Sequence, residues 1–321
     1  MKNKRIVFMG TPEYALESLK ALVKEGLNVV GVFTQPDRPK NRGKKIVKSP
    51  VKLFAEENNI PVFQPRRIKA KDGVEALKEL KPDVCVSAAF GQILSQEILD
   101  IPPYGTVNVH ASLLPKYRGS APINWCIING EKTTGVTTML TDAGIDTGDI
   151  LLKKETEIKS GETAGELTQR LAILGAELLI ETLKALFGGK LKPQKQDESQ
   201  ASYYPMLKKE MGDLDFNMPA SKIEGLVLGL NPWPGAFVKT PKGILKIHRA
   251  KAVKDSGNKE AGTVILASPK QGLTIKTGDG AIEITELQAP NKKAMDACAY
   301  LRGNPMNEGE SILKESAYER Q

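Results

Sequence analysis

The chain has 321 residues, long enough for two domains of ordinary size, and its 40% hydrophobic and 26% charged residues exclude a disordered or fibrous protein. No apolar run approaches the roughly 18 residues of a membrane span, so we expect no membrane partner. The net charge of +8 favours an acidic partner only weakly, and three cysteines without CxxC spacing predict reduced thiols in a cytoplasmic protein rather than a zinc site or a disulfide.

The first half of the chain alternates short apolar runs with amphipathic stretches, which is typical of parallel strands joined by helices. Thr11 as N-cap, Pro12 at the first helical position and Gly26 at the end predict a first helix, and Ser49-Pro50 predicts another. A long helix is predicted over 163–187. The predicted strands cover residues 6–9, 29–33, 84–89, 106–110, 135–140 and 150–158. This order predicts an α/β, Rossmann-like, mostly parallel sheet with its binding crevice beyond the carboxyl ends of the strands.

The second half changes character after a polar stretch without periodicity. Residues 189–206 predict a linker, so that the domains would cover 1–188 and 207–321. The short strands that follow, separated by Gly and Pro turns, predict a small, OB-like β-barrel with one helix near 221–230 and another near the C-terminus.

Several common active-site motifs are absent from the sequence. The first turn, MGTPEYA, has one glycine where a dinucleotide-binding fingerprint needs three, which argues against NAD. There is no P-loop, no HExxH metal motif and no GxSxG nucleophile elbow.

The end of the 106–110 strand carries the first candidate catalytic pair. Asn108 and His110 are two residues apart on a strand, so their side chains face the same side. An amide N–H can stabilise an oxyanion, and an imidazole can transfer a proton near neutral pH. The alternative is a structural histidine, buried and hydrogen-bonded to a backbone carbonyl.

The loop 141–149 carries Asp142, Asp146 and Asp149. Their spacing does not fit a calcium loop, and aspartates are also ordinary turn residues. If one of them reached His110, it would orient the imidazole and stabilise its protonated form.

Two stretches concentrate positive charge without any acid. Residues 38–52 contain seven Lys or Arg, and residues 237–254 contain six. A solvated surface is one interpretation of both. Pro39 and Gly43 favour instead a projecting basic loop that enters a nucleic-acid groove, and both interpretations stay open for 237–254.

Five stretches resemble the methionyl-tRNA formyltransferase family, within the formyltetrahydrofolate-using superfamily. The match spans almost the whole chain and departs at Tyr14, where the family has Phe, and at Phe216, where it has Trp. The stretches are MGTPEYA (9–15), FTQPDRPKNRGKK (33–45), NVHASLLPKYRGSAPI (108–123), DAGIDTGDI (142–150) and NPWPGA (231–236).

The resemblance implies transfer of a formyl group from 10-formyltetrahydrofolate to the amino group of methionine on initiator methionyl-tRNA, for translation initiation. It implies that Asn108 donates to the oxyanion, that His110 helps to hold the charge and moves the proton, and that Asp146 orients His110. Neither a metal nor a covalent enzyme intermediate is implied, and we expect a monomer.

The resemblance also implies binding residues. In the family the pterin is held largely by main-chain groups, here those of Gln92, Ile93, Ser112, Leu113, Leu114, Pro115 and Asp142. For the tRNA, the family's arginine that enters the acceptor stem matches Arg42. Lys44 and Lys45 are predicted to contact phosphates, and Lys246 is the predicted tRNA contact of the second domain.

Two rival functions remain. The first is another folate-dependent formyltransferase, or a formyltetrahydrofolate hydrolase, with a small-molecule acceptor, which would need neither the basic loop nor the β domain. The second is an RNA-binding module with an inactive site, against which the intact Asn108, His110 and Asp146 set argues.

Overall fold

The computed structural model describes residues 1–40 and 45–313 and divides into two compact units. The first unit comprises Met1–Pro122, Thr133–Glu157 and Thr168–Tyr204. The second comprises Ile123–Lys132, Ile158–Leu167 and the chain from Pro205 onward. The domain boundaries at residues 188 and 207 stay a prediction.

The first part of the chain alternates strands and helices. In chain order the elements up to residue 204 are β1 (Arg5–Gly10), α1 (Glu13–Lys24), β2 (Asn28–Phe33), β3 (Arg38–Lys40), β4 (Lys45–Val47), α2 (Pro50–Glu57), β5 (Val62–Phe63), α3 (Lys71–Glu79), β6 (Val84–Ala88), α4 (Gln96–Leu99), β7 (Thr106–His110), β8 (Arg118–Gly119), α5 (Pro122–Ile128), β9 (Thr133–Leu140), β10 (Ile150–Glu157), α6 (Ala164–Phe187) and β11 (Tyr203–Tyr204).

A seven-stranded sheet of order β10-β9-β7-β6-β1-β2-β5 organises the first unit. The pairings among β5, β2, β1, β6 and β7 are parallel, whereas β9 is antiparallel to β7 and β10 is antiparallel to β9. The predicted α/β, mostly parallel sheet is confirmed. Its central strands are buried on both faces, since Ile6, Val7, Phe8 and Met9 have no exposed surface.

Helices α2 and α6 begin with a side-chain N-cap, whereas the N-cap predicted for α1 does not form. Ser49 caps α2 by accepting from the backbone N–H of Lys52, as predicted. Thr163 and Glu166 form a reciprocal capping box at the start of α6. Thr11, by contrast, is not the N-cap of α1: the cap is Pro12, and the Thr11 hydroxyl donates to the carbonyl of Phe90 instead.

The elements of the second unit from residue 205 to 313 are α7 (Ala220–Gly229), β12 (Ala236–Thr240), β13 (Gly243–Val253), β14 (Val264–Ser268), β15 (Gly272–Lys276), β16 (Ala281–Gln288), β17 (Met295–Asp296) and α8 (Ala297–Gly303).

The strands of the second unit form an antiparallel sheet of order β12-β13-β16-β15-β14, with β17 paired to β16. In the range from 205 to 313, the edge strands β12 and β14 do not pair with each other, so the structure does not confirm the predicted closed barrel. Alternate residues of β13 such as Leu245 and Ile247 enter the core.

The polar stretch 189–206 carries more structure than its composition predicts. Gln194 pairs with Ile150 through the backbone, residues 198–200 form a turn of 3₁₀ helix, and β11 pairs in parallel with β8. None of the helices in the described ranges combines the length and apolar character that crossing a bilayer requires.

Candidate active site

The site is built where β6 and β7 end at the same edge of the sheet. Their parallel register places Ser87 of β6 beside Asn108 of β7, and His110 is the last residue of β7. Parallel strands present the residues at their carboxyl ends to a common crevice. The predicted strand-end position of Asn108 and His110 is therefore present in the structure.

The Asn108 side chain is half-buried and held in one orientation. Its Oδ1 accepts a hydrogen bond from the Ser87 hydroxyl at 3.0 Å. The Ser87 hydroxyl is the donor in this bond. The amide oxygen of Asn108 therefore faces Ser87, and its Nδ2 group faces the other way. Within the described residues this Nδ2 has no hydrogen-bond partner, which leaves a positioned N–H donor.

Both ring nitrogens of His110 face oxygen atoms. Nε2 lies 2.9 Å from the carbonyl oxygen of Tyr117, and Nδ1 lies 3.6 Å from Oδ1 of Asp146. The side chain is only 7% exposed. The carbonyl contact is the one that a structural histidine would make, and the carboxylate contact is the one that a catalytic histidine would make. The structure brings both together.

Asp146 reaches His110 by an indirect route. Because β9 runs antiparallel to β7, the 141–149 loop leaves the sheet beside Thr106, to whose carbonyl Thr141 donates. The loop then folds back so that Asp146 meets His110. The second carboxylate oxygen of Asp146 accepts from the backbone N–H of Gly119 at 2.8 Å. The two contacts together fix the carboxylate.

The loop's backbone is unusual at two positions. Asp146 has φ +54°, a left-handed conformation that few residues other than glycine adopt readily. At Gly148 a Cβ atom would come within 1.6 Å of the carbonyl oxygen of Leu140, so only glycine fits. The geometry that delivers Asp146 therefore depends on neighbours that hold a strained loop.

Comparison with known proteins identifies the family of this site. The family model described as formyl transferase matches residues 4–183, and the model described as formyl transferase, C-terminal domain, matches residues 206–305.

The chain belongs to the formyl transferase family.

Relatives of this formyl transferase are similar over nearly their whole length. A protein named methionyl-tRNA formyltransferase from Clostridium novyi (strain NT) is 50% identical over 311 residues, which is 97% of this chain and 100% of the relative. One of the same name from Citrifermentans bemidjiense is 47% identical over 317 residues, covering 99% of each. The chain is therefore an enzyme of this transferase family.

Solved structures share the fold at lower identity. A Helicobacter canadensis N-formyltransferase in complex with folinic acid and dTDP-3-aminofucose has a TM-score of 0.66 and 21% identity, covering 88% of this chain and 98% of its own. HypX from Aquifex aeolicus in complex with tetrahydrofolic acid has a TM-score of 0.63 and 17% identity, covering 98% of this chain and 51% of its own. At these identities the likeness concerns the fold alone.

The residues predicted to line the pterin pocket in the 112–115 segment of this formyl transferase are mostly buried. Ser112 has no exposed surface, and its hydroxyl donates to the carbonyl of Lys116 at 2.7 Å. The backbone N–H of Leu114 donates to Thr137, Leu113 is half-buried and Pro115 is buried. These side chains serve the loop itself. The main chain is largely engaged as well, since the carbonyls of Ser112, Leu113 and Pro115 accept from Thr137, Lys116 and Ser202.

The other predicted pterin residues lie in two loops. The Gln92 side chain accepts from the backbone N–H of Ile68 and donates to the carbonyl of Pro65, whereas the Ile93 side chain is 74% exposed. The Asp142 carboxylate accepts from Gly144 and Thr147 within its own loop. In the described ranges, no three His, Cys, Asp or Glu side chains are grouped to hold a metal ion.

The predicted tRNA contacts are only partly visible. Arg42 and Lys44 lie outside the described residues, and Lys45 begins β4, which pairs with β3. Beside this hairpin the ammonium of Lys52 lies 2.6 Å from both Asp37 and Gln64, and it holds the pKa of the Asp37 carboxyl below its usual value. In the second unit the Lys246 side chain is exposed on β13.

Sequence reasoning missed three groups at the site: the Ser87 hydroxyl, the Tyr117 carbonyl and the Gln196 side chain. Ser87 is a polar residue in an otherwise apolar strand, which could have marked it as a candidate. Its pairing with Asn108 cannot be predicted from the sequence. The Tyr117 carbonyl carries no sequence signal at all. Gln196 lies in the polar stretch 189–206, which is predicted to be a linker, and nothing in the sequence distinguishes it from its polar neighbours.

Proposed function

We propose that this protein transfers the formyl group of 10-formyltetrahydrofolate to the α-amino group of methionine on initiator methionyl-tRNA, releasing tetrahydrofolate. The observation that carries the proposal is 50% identity over 97% of the chain to a methionyl-tRNA formyltransferase. The geometry of Asn108, His110 and Asp146 supports it, because direct acyl transfer needs an oxyanion donor and a path for one proton.

Asn108 is the proposed oxyanion donor. When the amine attacks the formyl carbon, a C–N bond forms and the formyl oxygen gains negative charge. The Nδ2 group of Asn108 is a donor already held in place by Ser87, so it needs no reorganisation to meet that charge. The amide oxygen, turned towards Ser87, is kept away from the oxyanion.

His110 and Asp146 are the proposed proton-handling pair. The amine loses a proton, N10 of the donor gains one, and the bond between N10 and the formyl carbon breaks. A carbonyl and a carboxylate both only accept, so a neutral His110 can donate to only one of Tyr117 and Asp146 at a time. When Nδ1 carries the proton towards Asp146, Nε2 is free to take up the amine proton and pass it to N10. The carboxylate of Asp146 beside Nδ1 stabilises the imidazolium that forms when the amine proton is taken up.

The folate is proposed to bind through main-chain groups of 90–94, 112–115 and the Asp142 loop. Two observations support this mode: the Gln92 and Ser112 side chains are engaged within the protein, and the Asp142 carboxylate caps its own loop. Backbone donors and acceptors match the amide-like edge of a pterin without needing charged side chains.

The acceptor is proposed to be a tRNA because the basic stretch around Arg42 and exposed lysines such as Lys246 supply positive charge that a small acceptor would not need. We further propose that the enzyme works as a cytoplasmic monomer and that the sheet of the second unit curves into an OB-like barrel.

The test is incubation of the purified protein with 10-formyltetrahydrofolate and either initiator or elongator methionyl-tRNA, scoring formyl-methionine after hydrolysis. We expect formylation of the initiator and much slower formylation of the elongator. A reaction without tRNA, and one with a nucleotide-linked amino sugar, are the controls. Release of tetrahydrofolate at the full rate in either control would replace the proposal by a hydrolase or a small-molecule formyltransferase.

A further inference from the structure

Residues 196–204, here called the strap, bind the side chain of Arg118, the most deeply buried charged group in the first unit. Arg118 has no exposed surface and is the largest side chain of that kind in the described chain. Its Nε and Nη2 groups donate to Oε1 of Gln196 at 3.0 and 2.8 Å. Nη1 and Nη2 donate to the two carboxylate oxygens of Glu198, and Nη1 also contacts the Tyr203 hydroxyl. A buried guanidinium is thus fully paired with the strap.

Gln196 uses its whole hydrogen-bonding capacity. Its Oε1 accepts both bonds from Arg118, and its Nε2 donates to the carbonyl oxygens of Asp146 and Gly148, each at 2.8 Å. A guanidinium only donates, so Arg118 forces the amide oxygen towards itself and the amide nitrogen towards the loop. The orientation of Gln196 is therefore determined by Arg118.

The two carbonyls that Gln196 binds belong to the two residues at which the loop's backbone is unusual. Asp146 itself has φ +54°, and the loop continues through Gly148, where no Cβ fits. Such a conformation persists only when surrounding contacts hold it. The Gln196 amide supplies two of these contacts from behind, on the backbone that aims the Asp146 carboxylate at His110.

The strap also holds the other partner of His110. The Tyr117 carbonyl, which binds Nε2 of His110, belongs to a residue whose N–H donates to the Ser202 hydroxyl at 2.9 Å. Arg118 donates through its backbone to the Ser202 carbonyl, and the rings of Tyr117 and Tyr204 stack at 4.8 Å. Both oxygen atoms around the imidazole are therefore anchored by the same nine residues.

We propose that Gln196, oriented by Arg118, is a positioning residue that aims Asp146 at His110, so that the strap is part of the catalytic apparatus. This inference rests on the proposed formyl transfer. Gln196 touches no reacting atom and acts only through the loop.

The decisive variant is Gln196→Glu in the full chain. The substitution keeps the shape and the oxygen that faces Arg118, but it places a second oxygen opposite the carbonyls of Asp146 and Gly148. We expect kcat to fall about 10- to 100-fold, the scale of a misplacement of ~1 Å, with KM for both substrates changed less than about threefold. Gln194→Glu adds the same charge two residues earlier on an exposed side chain and should leave kcat unchanged.

A purely structural role is separated from positioning by a double-mutant cycle. In an Asp146→Asn background, Gln196→Glu should lower kcat less than about threefold, because the carboxylate that Gln196 positions is already absent. Losses that multiply would overturn the proposal, as would a Gln196→Glu variant with wild-type kcat. If thermal unfolding shows that this variant is not folded, Gln196→Met enters the same cycle. It removes both donors and also the oxygen that Arg118 uses, so again only a loss that does not multiply with that of Asp146→Asn supports the proposal. A wild-type protein that forms no formyl-methionine would instead overturn the proposed function itself.

Discussion

At the scale of single residues, the hydroxyl of Ser87 decides what Asn108 is able to do. An asparagine amide presents an acceptor and a donor, and only the donor helps a developing oxyanion. By donating to Oδ1, Ser87 leaves the Nδ2 group for the proposed role as oxyanion donor. The role of Asn108 therefore depends on a neighbouring strand as much as on its own identity.

Asn108→Ala removes this donor, and we expect kcat to fall roughly 10²-fold, the scale measured for loss of one oxyanion-hole donor. Affinity for the tRNA should barely change, because the donor acts on charge that develops during the reaction. Asn28→Ala, which makes the same substitution at the exposed start of β2, is the control. Steady-state kinetics on both variants decide the matter, and a comparable loss at Asn28 would show that the effect is not local.

His110 and Asp146 should behave as a unit, because the carboxylate contacts the imidazole at Nδ1. We expect His110→Ala and Asp146→Asn each to lose roughly 10²-fold or more in kcat, and the double variant to lose little more than either one. Asparagine is the suitable replacement at 146, since it tolerates the left-handed backbone that Asp146 adopts. Losses that multiply in the double variant would show that Asp146 does not act through His110.

At the scale of elements, the sequence predicted what local signals encode. The Ser49-Pro50 signal predicted α2, and apolar runs predicted β1, β6 and β7, because capping and burial are decided within a few residues. The strap was not predicted, because side chains that bond across the fold leave no periodicity. The pairing of Ser87 with Asn108 was equally invisible, since register depends on strands distant in sequence. Asn108 and His110 themselves were found because their spacing of two is a property of one strand.

The contacts of Glu166 at the start of α6 predict that the stability of the fold depends on pH. Backbone hydrogen bonding from Thr163, and then the Arg249 side chain, lower the pKa of Glu166 to about 2 from an ordinary value of 4.5. A carboxyl with a lowered folded-state pKa stabilises the fold above its unfolded pKa, and this contribution is lost as the pH falls from about 4.5 towards 2. We expect Glu166→Gln to lower the melting temperature at pH 6, by an amount that shrinks steadily towards pH 3.

Glu177→Gln, on the same helix and largely exposed, is the matched control. Its melting temperature should follow that of the wild type at both pH values. A Glu166→Gln deficit that stays constant across the range would assign the effect to packing rather than to charge.

At the scale of the whole molecule, the charge of +8 is expected to act in two separate ways. Arg42 is the proposed contact with the acceptor stem, and a planar guanidinium pairs with base edges as well as with phosphate. Arg42→Ala should cost about 1–3 kcal/mol on the initiator tRNA and less on the elongator. Arg42→Lys retains the charge, so recovery of discrimination in that variant would reduce the residue to a phosphate contact.

Lys246 should contribute to tRNA binding without discriminating between initiator and elongator tRNA. Its side chain is exposed on β13, where the neighbouring strands place Phe237 and Gln288 beside it. Lys246→Ala should weaken binding of initiator and elongator tRNA alike and lower the slope of log affinity against log salt by about one unit. Lys270→Ala, on an exposed turn between β14 and β15, is the comparison, and an equal effect there would mean that binding follows overall charge.

The scarcity of imidazole has a practical consequence. The chain has two histidines, His110 in the first unit and His248 in the second, where its Nε2 lies 3.2 Å from the Gln288 side chain. Labelling histidine rings with ¹⁵N would give an NMR spectrum with only two sets of ring signals. One set would report on the proposed reaction centre and the other on the β-sheet of the second unit, so a folate analogue and an RNA fragment can be titrated in one tube. The unmodified protein thus carries one spectroscopic reporter for each half of its proposed activity.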